Sequence, residues 1–156
     1  MSLIESYGGT GGGMATSQPA RIGALLGLDA PTQLDDVGLA ARVAEGLLPA
    51  SADALGRFVG MPFVLGSLIP EATLRRARKG SKPLSRQMSE RLYEVSRVID
   101  AAGLSFHGDG EAMTRFLERP HALLGGRSPL DMAQSSSAGA DAVMNLIRRA
   151  DAGVAL

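Results

Sequence analysis

The chain has 156 residues, enough for one compact domain or two small ones. Its 16 Lys and Arg balance its 16 Asp and Glu, so the molecule as a whole is not a polyelectrolyte, and any nucleic-acid contact must come from a local cluster. It has no cysteine, which excludes disulfides, thiolate zinc sites and cysteine nucleophiles and fits a reducing cytoplasm.

The opening MSLIESYGGTGGG lacks the basic start and apolar centre of a signal peptide. No apolar run approaches the roughly 20 residues that a membrane span needs. Residues 1–20 are rich in Gly, Ser and Thr, bury too little apolar surface to offset ordering entropy, and read as a flexible tail. The run GGTGGG is not a phosphate loop, because no strand precedes it and no Lys-Ser/Thr follows.

From Asp35 onward the apolar residues fall at helical spacing. A helix is predicted over Asp35–Leu47, with Val37, Leu39, Ala40, Val43 and Leu47 inward, acids in its first turn and Pro49 ending it. Ser51 is the expected cap of a helix over Ala52–Val59 that buries Leu55, Phe58 and Val59. MPFVLGSL follows as a short apolar turn of helix, and Gly66 within it predicts distortion. Pro70 opens PEATLRRARKG, which ends at Gly80. Ser85 caps a longer helix to about Gly103, on which Met88, Leu92, Val95, Ile99 and Ala102 draw one narrow stripe. That stripe suits a core, and equally a helix–helix dimer seam. Asp109 caps a helix through Arg119 carrying Met113, Phe116 and Leu117. Gly125 and Gly126 stop the turn begun near Pro120, and Ser128-Pro129-Leu130-Asp131 has the order of a helix start. The last helix runs from about Ser137 to Asp151 with Val143, Leu146, Ile147 and Ala150 inward, and Gly153 takes the left-handed position after it. No segment reads as a strand, so the predicted class is all-α.

Thr73–Arg86 holds six of the 16 cations and no acid, whereas residues 29–54 are acidic. One face is thereby marked for phosphate contact. The helices at 52–59, 62–67 and 70–79 succeed one another with Gly or Pro breaks, as in a helix-turn-helix unit. Thr73 and Arg76 stand one turn apart, suited to base edges, while Arg75 and Lys79 suit phosphates, with Arg78 and Lys82 completing the basic set. The competing reading is a solvated charged face. His107 and His121 lack partners at metal-ligand spacing, and no nucleophile, metal set or cofactor loop is present in the sequence, so no enzyme activity, cofactor or metal is expected.

The segment from Arg115 to Val154 resembles the toxin-binding domain of Xre/MbcA/ParS-type antitoxins. The resemblance rests on Phe116-Leu117, Pro120, Leu124 to Leu130, the small-residue loop with Gly139, Ile147-Arg148-Arg149 and Gly153-Val154. Upstream, IPEATLRRARKGSKPLSRQMSERLYEVSRVI resembles the Xre-like helix-turn-helix of the same family. Beyond the tail, the implied organisation is an Xre-like domain over 21–105 and a toxin-binding domain over 106–156. The resemblance implies a cytoplasmic type II antitoxin whose partner is a RES-domain toxin, which degrades NAD or transfers ADP-ribose from it. It implies that the C-terminal helix and tail cover the toxin's NAD cleft and that a homodimer within the complex represses its own promoter DNA. The residues assigned to the toxin are Arg127, Asp141, Asn145, Arg148, Arg149, Gly153, Val154, Ala155 and Leu156. The alternative is a plain helix-turn-helix regulator with a C-terminal dimerisation or effector domain.

Overall fold

The computed structural model describes residues 17–153, and these are all-α, with one isolated antiparallel bridge between His121 and Arg127. The tail expectation for residues 1–20 fails at its end. Ser17 caps α1 (Gln18–Leu25), its hydroxyl accepting from the Ala20 N–H, and Pro19, Ala20, Ile22 and Leu25 are buried. Proline in a first turn loses no helical hydrogen bond and presets φ, so it starts this helix.

A 3₁₀ turn (Pro31–Gln33) leads to α2 (Asp36–Glu45), capped by the Asp35 carboxylate on the Gly38 N–H at 2.7 Å. Leu39 and Val43 are buried as expected, but Val37 is 77% exposed and Ala40 is exposed. Residues two apart on a helix point to different faces, so Val37 cannot share the Leu39 side. Pro49 begins the next helix instead of ending the previous one: α3 runs Pro49–Val59, and Ser51 lies buried inside it. Phe58 and Val59 are half-buried. The apolar stretch forms α4 (Met61–Phe63), which widens into a π-helical turn (Val64–Leu68), so the distortion expected around Gly66 is present. Helix α5 (Glu71–Gly80) buries Leu74 and Ala77.

The centre of the fold is α6 (Arg86–Ser105), about 30 Å long at the standard rise. It is followed by α7 (Gly110–Glu118), a 3₁₀ turn (Ala122–Leu124), α8 (Pro129–Ser135) and α9 (Ser137–Asp151). Helix α6 packs against α1, α2 and α3 on one side and α7, α8 and α9 on the other. Leu92, Val95, Ile99 and Ala102 are therefore core, joined with Ile22, Leu55 and Leu74 upstream and Met113, Val143 and Ile147 downstream. A seam between two copies along that stripe is ruled out by its burial. Of the second apolar patch, Val64 is buried, and Met61, Phe63 and Leu65 pack half-buried against the core.

Polar groups on the buried sides of α6 are satisfied one by one. The Ser89 hydroxyl accepts from the Leu47 N–H at 2.8 Å, and Ser96 donates to the Tyr93 carbonyl at 2.7 Å. Asp100, 1% exposed, accepts from the Arg21 guanidinium at 2.8 and 3.3 Å, which ties α1 to the middle of α6.

Candidate functional site: the C-terminal helices and the basic helix

The C-terminal unit is built from short helices with well-made ends. The Asp109 carboxylate caps α7 on the Ala112 N–H, the Ser128 hydroxyl caps α8 on the Asp131 N–H, and the Ser136 hydroxyl caps α9 on the Gly139 N–H. Between α7 and α8 the chain closes a small loop. The His121 N–H donates to the Arg127 carbonyl at 3.0 Å, and Gly125 and Gly126 both take positive φ (65° and 81°). The His121 ring nitrogen Nδ1 accepts from the Leu123 N–H at 3.2 Å, which gives this histidine a capping role. Arg127 is exposed, and its guanidinium donates to the Asp131 carbonyl at 3.2 Å, so it braces the junction into α8.

Helices α8 and α9 meet almost without a gap. A Cβ on Gly139 would run into the Met132 carbonyl oxygen and come within 2.7 Å of the Ser135 hydroxyl. Only glycine lets the first turn of α9 approach the last turn of α8 this closely.

Helix α9 then lies alongside α6, and the paired residues advance together along both helices, so the two run parallel. Ser137 donates to Glu94, Arg97 bridges Glu94 and Asp141 at 2.7 Å to each, and Ser105 donates to Asp151. Burial alone pulls the Arg97 pKa down, but its hydrogen bonds to Asp141 and Glu94 outweigh this and leave it raised. These contacts set the rotation of α9 about its axis. Asp141, Asn145, Arg148 and Arg149 consequently share the exposed side, with Arg148 donating to the Asn145 side chain at 3.1 Å. Asp141 is already engaged by Arg97, so Asn145, Arg148 and Arg149 are the more available part of that row. Ala150, expected inward, is exposed, because the last turn of α9 reaches the end of α6 at Ser105 and runs out of neighbour. Gly153 has φ 75°, the left-handed position expected of it; Val154, Ala155 and Leu156 lie outside the described residues.

Residues 101–153 match the family model of the antitoxin Xre/MbcA/ParS C-terminal toxin-binding domain. The match covers about a third of the chain, from the end of α6 through α9. It begins within the last turns of α6, downstream of the Glu94 and Arg97 contacts to α9. No curated protein matches the chain.

Upstream of the toxin-binding domain, α5 carries the basic cluster. Arg75, Arg76 and Lys79 are exposed on the side opposite Leu74 and Ala77, and Thr73 is half-buried with its hydroxyl 3.5 Å from the Arg76 guanidinium. Lys82 is exposed just beyond the helix. Arg78 stands apart from this group: it flanks the buried stripe and forms an ion pair with Asp53 of α3.

Helical periodicity does not single out Glu94, Arg97 and Ser105. Their signal is an acid and a base one turn apart on α6, which marks an exposed pair as readily as a docking point. A groove of about 610 Å³ opens between α2, the first half of α6 and the α8–α9 junction, with Leu39, Val43 and Tyr93 in its lining. Burial pushes the Tyr93 phenol above its usual pKa. Among the described residues no group of His, Asp and Glu is arranged to hold a metal, and no helix is long and apolar enough to cross a membrane.

Proposed function

We propose that the chain is the antitoxin of a type II pair and neutralises a RES-domain toxin by laying α9 and the residues after it over the toxin's NAD cleft. The observation that carries this reading is the toxin-binding family match joined to the geometry of α9. The helix is held along α6 by the contacts of Ser137, Asp141 and Asp151 with Glu94, Arg97 and Ser105, and Asn145, Arg148 and Arg149 stay exposed beside that seam. It ends in a glycine turn just before the last three residues. In this account Arg127 acts through the loop it braces, and the antitoxin works by binding alone.

The exposed row Arg75, Arg76 and Lys79 supports a second activity of the same protein, repression of its own promoter as a homodimer in the toxin complex. A basic helix following two short helices is the arrangement that a major-groove reader uses.

Co-expression tests the main reading. The full chain should restore growth to cells producing the cognate RES-domain toxin, and a chain ending at Ala152 should fail to do so at equal protein level. Undiminished rescue by the shortened chain would contradict the role given to the C-terminal end.

A further inference from the structure

Asp53 and Arg78 are separated by 25 residues in sequence, yet their side chains are in direct contact between α3 and α5. Both remain open to solvent, at 45% exposure for the Arg78 side chain and 40% for that of Asp53. The pair is therefore within reach of an incoming phosphate. Every other cation of the basic helix is free of such a carboxylate in the described ion pairs: Arg75, Arg76, Lys79 and Lys82 appear in none. Asp53 lies in the first half of α3, separated from α5 along the chain by α4 and the π-helical turn.

We infer that Asp53 is an intramolecular competitor for DNA phosphate, holding Arg78 in reserve and limiting the affinity of the basic helix. The inference rests on the reading of α5 as a DNA-contacting helix. Asp53 acts in two ways. It occupies the guanidinium that would otherwise neutralise a phosphate, and its own negative charge opposes any phosphate that approaches Arg78. An exposed ion pair is weak enough to be exchanged, so the effect is a restraint on affinity and not a block. Modest affinity of the free protein suits a repressor whose grip depends on its partner, because the contacts of a second subunit or of the toxin complex then decide occupancy.

The test is a salt series. Binding of the full chain to a duplex from upstream of its own reading frame is measured by fluorescence anisotropy between about 50 and 200 mM salt. Asp53→Asn should tighten binding and steepen the slope of log K against log salt by about 0.9, the value of one added phosphate contact. Over that salt range this is roughly a 3-fold larger change in affinity than the unmodified chain shows. Arg78→Gln should leave the slope of the unmodified chain nearly unchanged and abolish the gain in the Asp53→Asn background. A gain that persists without Arg78 would overturn the inference, since Asp53 would then act only as a general repelling charge. Arg76→Ala with Lys79→Ala reports on the underlying reading by flattening the slope. If that pair flattens it and Asp53→Asn does not steepen it, the DNA reading stands and the role of Asp53 falls. If neither the unmodified chain nor Asp53→Asn binds the duplex, both fall.

Discussion

Gly139→Ala is expected to lower the stability of the chain by about 3 kcal/mol, the upper end of the range for overpacking. The added methyl meets a main-chain carbonyl, that of Met132, and not the end of a flexible side chain. Helix α8 cannot yield by changing a rotamer. Either α8 or α9 must shift as a body, and α9 is held along α6 by Arg97 and Ser105. In a chain of this size the loss corresponds to a fall in melting temperature of roughly 6–12 °C, readable by circular dichroism. The same shift would move Asn145, Arg148 and Arg149 relative to α6, so toxin affinity should fall at temperatures where the variant is still folded. A variant with the parent's melting temperature would show that the α8–α9 junction is looser than described.

The second large effect concerns Asp100. Arg21→Met removes the guanidinium and leaves a carboxylate that is 1% exposed in the middle of α6. Removing one partner of a buried pair typically costs 3–5 kcal/mol, roughly, because the remaining charge keeps its desolvation penalty. Urea unfolding should show a midpoint lowered accordingly. Arg21→Met combined with Asp100→Leu should recover most of the loss, since apolar replacement of a whole buried pair is often neutral or better. A double variant as unstable as the single one would locate the defect in packing and not in the loss of the guanidinium–carboxylate contact. The pair matters for more than stability. It anchors the first described helix to α6, whose last turns belong to the toxin-binding domain, so the upstream helices and that domain share one core.

Much of this arrangement is legible in the sequence, for local reasons. The caps Ser85, Asp109 and Ser128 act through groups three residues away, and the left-handed Gly153 through its own backbone, so both kinds of signal survive without tertiary information. The bounds of α9 follow from the same logic. Helix α1 is hidden because its Ser-Gln-Pro start follows a glycine-rich stretch that sets the composition of the whole window. Pro49 is ambiguous in sequence, since proline both follows helices and begins them, and only the placement of Ser51 inside α3 decides it. The parallel pairing of α6 with α9 is not legible at all. It depends on Arg97 meeting Asp141, 44 residues away, and helical periodicity carries no information about which acid a given base will find. Arg78 illustrates the same limit: its sequence neighbours place it in a basic cluster, while the fold places it against Asp53. The row of residues assigned to the toxin was legible as one face of a helix, but the fact that Asp141 is already engaged was not.

The central claim is that α9 and the end of the chain occupy the NAD site of a RES-domain toxin. NAD consumption by the purified toxin, measured across a range of NAD concentrations with and without the full chain, tests it most directly. Occlusion predicts competition: the apparent KM for NAD rises with antitoxin concentration while kcat, extrapolated to saturating NAD, is unchanged, and a chain ending at Ala152 raises KM far less. A fall in kcat at constant KM, shared equally by the shortened chain, would contradict the account and place the antitoxin away from the cleft.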